Sequence, residues 1–326
     1  MTGASVEVVD ARTLDYEAFT ALQLEAFAAL LSERGASNAH MKPAHFRWKF
    51  APPAAVAKIA YVREGERMVA TNAMLPMDVR RGGETIRGWQ SCDTATALDA
   101  RGKGYFSSCL DALVSVLGPD EVFFGFPNQN SMRGFEKLGW RVNGAVTIWV
   151  GPAPLPGFAG GSEVVAVDHF DDSADTFAES LYADASPVLE RSAEYLNWRY
   201  VECPSHSYER LVLPGASALR GFAVIRKAQV LGRDVTLVME LWGRDTRAER
   251  ILMRAVRKRA SAQRTHLVVL MNTAWSRTLG FTAGLFPVPS RLLPKKQLLM
   301  GMATGPRSQA LLETPWRSQA GDWDAF

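Results

Sequence analysis

The segment Phe46-Arg-Trp48-Lys-Phe50 returns 150 residues later as Leu196-Asn-Trp198-Arg-Tyr200, and each copy is followed by a proline, Pro53 or Pro204. The same offset carries Gly82 to Gly232 and Gln90 to Glu240. Further on, Val122-Phe-Phe-Gly-Phe-Pro-Asn128 is answered by Leu267-Val-Val-Leu-Met271-Asn272, and Leu138-Gly-Trp140 by Leu279-Gly-Phe281, where the offset has shrunk to 141. An offset that holds through several markers is what duplication produces, so these 326 residues are expected to fold as two related units. The Gly/Pro-rich stretch from Gly151 to Gly161 reads as the linker. The expected division is therefore 1–150, a linker at 151–162, a second unit at 163–302 and a tail at 303–326, whose aromatics, Trp316 and Trp323 among them, suit docking onto the body.

The chemistry points to the first unit. Ile86 to Thr96 is rich in β-branched and aromatic residues, and Phe106, Leu110, Leu113, Val114 and Leu117 share one helical face before Gly118-Pro119 stops the helix. Between them lies Arg101-Gly102-Lys103-Gly104-Tyr105. Two glycines there can take positive φ and bring backbone N–H groups to a ligand at a helix N-terminus, an arrangement that suits a phosphate. A second block follows: Glu121 to Phe126 reads as a buried strand, and Ser131 to Trp140 as a short helix closed by glycine.

Together the two blocks resemble the GNAT acyltransferase superfamily, over roughly residues 5–150. The resemblance rests on Arg101, Gly102, Gly104, Asn128 and Leu138-Gly139-Trp140. It implies an α/β (α+β) fold of two tandem GNAT-like domains, each a mixed central sheet flanked by helices. It also implies an acyl-CoA-dependent N-acyltransferase that moves the acyl group to a primary amine by direct attack. On this basis Arg101, Gly102, Lys103, Gly104 and Tyr105 would hold the CoA pyrophosphate, Thr94, Ala95 and Thr96 would supply N–H groups along the splayed fourth strand, and Asn128 and Phe135 would complete the CoA contacts. Two positions depart from the family pattern. Asp99 removes one pyrophosphate partner, and Phe135 lacks the hydroxyl that often protonates the departing thiolate, which leaves water, the new ammonium or Tyr105 for that task.

Asp93 lies in the fourth strand eight residues before Arg101, and reads either as a base for the amine or as a strand-end carboxylate bonded to backbone. Strand alternation would put Trp89, Ser91, Asp93 and Ala95 on one face and Gln90, Cys92 and Thr94 on the other. Glu240 is the first alternative base from the second unit, and Asn128 joins the candidate catalytic set. In that second unit the glycine turn is replaced by Gly243-Arg-Asp-Thr-Arg-Ala-Glu-Arg250, where Asp245 and Glu249 would repel a phosphate, so it is expected to be degenerate and to bind no CoA.

Other features set limits. His40, His45 and His206 lie in loops or at helix starts, where a loop could bring one into the cleft but an ordinary surface or capping role is the expected one, and the five histidines make no metal spacing, so no metal is expected. Cys92 and Cys109 read as packing residues, and three cysteines suit a reducing cytoplasm. The net charge of +3 is small for this length, and Arg254, Arg257, Lys258 and Arg259 read as a solvated helix face rather than a nucleic-acid contact. No apolar run reaches a membrane span. The expected partners are an acyl-CoA as co-substrate and a small amine, with no permanently bound cofactor and a homodimer left open. Among tandem GNAT proteins the motifs look most like bacterial acyltransferases of polysaccharide and amino-sugar assembly. Fem-type aminoacyl transferases and a non-catalytic CoA-binding or assembly module are the alternatives.

Overall fold

The computed structural model describes residues 5–34, 40–153, 163–216, 218–230, 232–273, 280, 283–293 and 297–323. Most of the expected linker, Leu279 and Phe281 of the second Leu-Gly-aromatic motif, and the last three residues of the tail lie outside this set.

The first half opens with β1 (Val6–Asp10), α1 (Tyr16–Arg34) and α2 (Pro43–Lys49), followed by the meander β2 (Lys58–Glu64), β3 (Arg67–Arg81) and β4 (Glu84–Thr96). It continues through α3 (Tyr105–Val116), β5 (Val122–Gly125), α4 (Gln129–Lys137), β6 (Arg141–Ala145) and β7 (Thr147–Pro152). The second half repeats the plan. It runs β8 (Val165–Val167), α5 (Asp172–Tyr182), β9 (Val188–Leu189), α6 (Ala193–Tyr200), β10 (Glu209–Leu213), β11 (Gly221–Val230) and β12 (Arg233–Gly243). Then come α7 (Thr246–Ala262), β13 (Leu267–Asn272), β14 (Phe286–Pro287), β15 (Leu298–Ala303) and α8 (Pro306–Leu312).

Among the described residues these strands make two mixed sheets flanked by helices. One runs β1-β2-β3-β4-β5-β15-β6, with β9 paired to β3, and the other runs β14-β7-β13-β12-β11-β10-β8. The order exposes an exchange. β7, from the first half, pairs antiparallel with β13 and β14 of the second sheet, while β15, from the end of the second half, inserts between β5 and β6 of the first. Each half thus donates its last strand to the other. A strand placed in the interior of a sheet has both backbone edges bonded, so the exchange ties the halves together through main-chain hydrogen bonds and not through side chains alone.

The repeated tryptophans sit at the centre of this symmetry. Trp48 of α2 and Trp198 of α6 stack with centroids 5.2 Å apart and planes 25° off parallel. Each indole N–H donates to the other's backbone carbonyl, at 2.9 Å for Trp48 and 3.2 Å for Trp198. One continuous apolar core runs from Phe19, Phe50 and Phe123 of the first half to Phe177, Leu196 and Phe222 of the second, and a second cluster packs Leu241, Leu252 and Leu285.

The solvated-face reading of α7 needs one correction. Arg254 and Lys258 are exposed, but Arg257 is buried. Its guanidinium donates to the carbonyls of Pro152, Ala283 and Gly284, and burial lowers its pKa to about 10. Cys92 and Cys109 are buried, and burial pushes the Cys109 thiol up to about 12, which suits packing and not nucleophilic chemistry. Among the described residues no helix is long and apolar enough to cross a membrane.

Candidate active site

Strands β4 and β5 run parallel, but their pairing covers only Gly88↔Val122, Trp89↔Phe123 and Gln90↔Phe124. β4 continues to Thr96 while remaining paired to β3, so the two strands diverge beyond Gln90. The wedge between them has one edge made by Ser91 to Thr96 and the other by the chain leading to Asn128. Beyond it lies the glycine turn. Gly102 and Gly104 take φ of +80° and +82°, a region L-residues rarely adopt. Gly104 is the N-cap of α3 and offers no side-chain cap, so backbone N–H groups of the first turn stay available to an anion.

The predicted CoA residues on this turn and on the elements after it are engaged in different ways. Arg101 is exposed on it. Lys103 Nζ lies 2.7 Å and Tyr105 Oη 2.8 Å from the same carboxylate oxygen, Oε1 of Glu64. That contact raises the pKa of the Tyr105 hydroxyl and commits its proton to Glu64, which argues against Tyr105 as the donor to a departing thiolate. Asn128 accepts from the backbone N–H of Ser131 at 3.2 Å and so caps α4. Phe135 is buried, edge-on to Phe106 with centroids 5.2 Å apart and 4.6 Å from Trp140. It shapes the packing of α3 on α4.

Asp93 stands where the sequence placed it, on the wedge, but the alternation assumed for β4 breaks there. Its φ is +47°, and the register with β3 slips between Thr71 and Ala73, leaving Asp93 and Thr94 opposite the single residue Asn72. The bulge brings Ser91 and Thr94, not Ser91 and Asp93, to one side: Asn72 Nδ2 donates to Ser91 Oγ at 3.2 Å and to Thr94 Oγ1 at 2.7 Å. Positive φ at a non-glycine residue costs about 1–3 kcal/mol and persists only where surroundings hold it. Here Gln23 Nε2 donates to the Asp93 carbonyl at 2.7 Å, and Lys49 Nζ lies 2.7 Å from Asp93 Oδ2. Sequence reading missed Lys49, although it belongs to the repeated tryptophan motif itself.

Glu240 is elsewhere. It is fully buried, accepts from Tyr200 Oη and Trp242 Nε1 at 2.6 Å each, and lies 3.1 Å from Arg191 Nε. Asp322 of the tail pairs with the same guanidinium. Burial raises the Glu240 carboxyl above the usual range. So enclosed, its carboxylate is taken up by Tyr200, Trp242 and Arg191, which corrects its candidacy as an alternative base.

The second half has the same wedge with different contents. Parallel pairing of β12 with β13 ends at Val238↔Leu270. In the gap, Gln319 accepts from Leu241 N at 2.8 Å, donates to Leu241 O at 2.6 Å, and bridges to Asn272. The tail thus fills the opening. At the helix behind it, Asp245 accepts from Ala248 N at 2.8 Å, so a carboxylate already caps α7 where Gly104 leaves α3 uncapped.

The histidines that the sequence scatters meet at the seam of the halves. His45 Nδ1 lies 2.7 Å from Ser205 Oγ, and the rings of His40 and His206 are 6.4 Å apart. Their surface or capping reading is therefore corrected: each contacts residues of the other half. Burial pushes His45 down to about 2 and His206 to about 4. A base whose folded pKa lies below its unfolded value near 6.5 is neutral in the fold and must gain a proton on unfolding, so its contribution is present above pH 6.5 and is lost as pH falls toward the folded pKa. His45 alone is expected to cost about 1.4 kcal/mol of stability for each pH unit below 6.5. Urea midpoints at pH 7.5 and 5.0 check this, with His45→Asn flattening the difference. Equal midpoints in the parent protein would refute it.

Comparison with known proteins agrees with this geometry. The family described as Acetyltransferase (GNAT) domain matches residues 7–142. No curated protein matches the sequence. Among solved structures, a conserved protein of Enterococcus faecalis V583 described as a probable N-acyltransferase is 12% identical with a TM-score of 0.68, covering 96% of this chain and 75% of its own. A GCN5-related N-acetyltransferase from Kribbella flavida is 16% identical (TM-score 0.59, 91% and 71% covered). A tandem GNAT protein from the clavulanic acid biosynthesis pathway is 15% identical (TM-score 0.55, 93% and 99%). Residues 7–142 of this chain match the GNAT acetyltransferase domain, and the chain as a whole shares its fold with a tandem GNAT protein.

Proposed function

We propose that this protein is an acyl-CoA-dependent N-acyltransferase whose first half, residues 1–150, carries the reaction, while the second, residues 163–302, binds no CoA. The observation that carries the reading is the open wedge of β4 and β5 leading to the uncapped N-terminus of α3. An acyl-CoA laid along this path has its pyrophosphate on the N–H groups from Gly102 to Tyr105 and its thioester beside Thr94, Ala95 and Thr96, whose backbone N–H groups meet the developing oxyanion.

The amine attacks the thioester carbonyl directly, with no covalent enzyme intermediate. Deprotonating an amine of pKa near 8 at pH 7 costs about 1.4 kcal/mol, against more than 4 for an ordinary lysine-like amine, so a weak base suffices. Asp93 takes that proton, directly or through water. With Phe135 lacking a hydroxyl and Tyr105 turned to Glu64, the thiolate takes its proton from water or from the new ammonium. Acceptors to test first are amino sugars, nucleotide-linked ones leading. The reading places the protein in the cytoplasm, where acyl-CoA is made.

Calorimetry with acetyl-CoA is the test. One site per chain is expected, because the tail occupies the second wedge and Asp245 caps the second helix. Two sites would refute the asymmetry, and none would refute the acyltransferase reading.

A further inference from the structure

The reaction outlined above leaves unused a cationic cluster beside Asp93, built from both halves. The His40 ring lies 6.3 Å from His45 and 6.4 Å from His206, centroid to centroid. Lys49, Asp93 and Arg226 are within electrostatic reach of His40, and Arg226, His40 and Arg199 within reach of His206. These sets hold three permanent cations, Lys49, Arg199 and Arg226, against the single carboxylate of Asp93.

Two of the cations are committed. Lys49 pairs with Asp93, and Arg199 donates to the carbonyls of Gly321 and Trp323. Arg226 differs: its Nε is buried, and among the described residues it has no hydrogen-bond partner. A guanidinium cannot shed its charge at physiological pH, and a desolvated one without a counter-charge is costly to keep. The neighbouring imidazoles are neutral at pH 7 and can each offer an N–H. His40, His206 and Arg226 are all partly exposed, so a solute can reach them.

We propose that Arg226, His206 and His40 seat an anionic group, a carboxylate or a phosphate, carried by the amine acceptor. Residues of the second half, Arg226 on β11 and His206 before β10, then complete the acceptor site of the first. Because the His40 ring is within electrostatic reach of both Arg226 and Asp93, an acceptor anchored there by its anion is held in the neighbourhood of Asp93. The proposal rests on the acyl-transfer reading for the amine, but the anion seat can be tested without it.

Histidine ring resonances are followed by NMR while inorganic phosphate, and separately acetate, is titrated in. An anion held beside an imidazole favours its protonated form, so the apparent pKa of His40 is expected to rise by about one unit, with the His206 ring shifts at pH 7 moving in step with the anion concentration. Arg226→Gln should abolish the rise, with far-UV circular dichroism reporting an intact fold and His206→Asn as a second variant. A response to phosphate alone assigns a phosphorylated acceptor, and a response to acetate alone a carboxylated one. No rise with either anion overturns the proposal, as does a full rise in Arg226→Gln. In parallel, amino-sugar phosphates or amino acids are compared as acceptors with the free amino sugar or the amino-acid amide. The anionic member of a pair is expected to be favoured at least about tenfold in kcat/KM, falling toward parity in Arg226→Gln. Parity in the parent protein overturns the acceptor assignment. If no amine is acylated while the histidines still respond to an anion, the acyltransferase reading falls and the anion seat stands.

Discussion

Valine at position 104 is expected to abolish measurable acyl-CoA binding while leaving the fold intact. Gly104 caps α3 with φ of +82°, and Gly102, two residues earlier, has φ of +80°. No atom lies within 4 Å of the position a Cβ would take at either residue, so the substitution meets no steric clash in the protein. What it meets is its own backbone. A β-branched residue in the left-handed region costs about 1–3 kcal/mol, and the turn escapes that cost by rotating the peptide planes whose N–H groups would face the pyrophosphate. Strain and lost hydrogen bonds together should lower affinity at least about 100-fold, which calorimetry at pH 7 reads directly. The turn is exposed and packs against nothing at these two positions, so circular dichroism should be unchanged. Normal acetyl-CoA affinity in Gly104→Val, or in Gly102→Val, would show that the pyrophosphate does not use these amides.

The second large effect is expected at Asp93. Asp93→Asn keeps the shape of the side chain and removes its charge, and if Asp93 is the base for the amine, kcat should fall by about 10²–10⁴. The loss should shrink as pH approaches the amine pKa, since an acceptor already deprotonated needs no base. The ion pair with Lys49 adds a control: Lys49 is buried and Asp93 only 14% exposed, so the variant also changes the environment of a buried ammonium. Asp93→Asn with Lys49→Met removes both charges together. If the double variant regains activity, the loss came from the uncompensated lysine. Full activity of Asp93→Asn at neutral pH, with CoA affinity unchanged, would make Asp93 a structural carboxylate that holds the bulge.

Much of the candidate site could be read from residue order. The strand, the two-glycine turn and the amphipathic helix after it are local features, and β4 and α3 lie where the pattern put them because each signal spans fewer than fifteen residues. The weakness of the second copy was also legible, in the single Gly243 and the acidic Asp245. Its physical form was not. Asp245 acts by capping α7, and Gln319, from a tail some fifty residues beyond β13, fills the wedge. The bulge at Asp93 is not legible in residue order because strict alternation assumes an unbroken ladder, and the slip is held by Asn72 on the partner strand and by Lys49 and Gln23 from two helices.

Residue order is enough to show two repeated segments, the pattern of a mixed sheet with helices in each, and a two-glycine turn in the first alone. These follow from repeats, periodicity and the conformational freedom of glycine, all properties of contiguous residues. Which edge each last strand joins, where the tail lies, and the meeting of His40, His45, His206 and Arg226 at one seam emerge only in three dimensions. Alternation of side chains tells a strand which face to bury, but main-chain hydrogen bonds are the same for every residue, so it does not say whether β7 closes its own sheet or its partner's. That choice depends on which free edge the packing of the two halves, joined at Trp48 and Trp198, brings within reach.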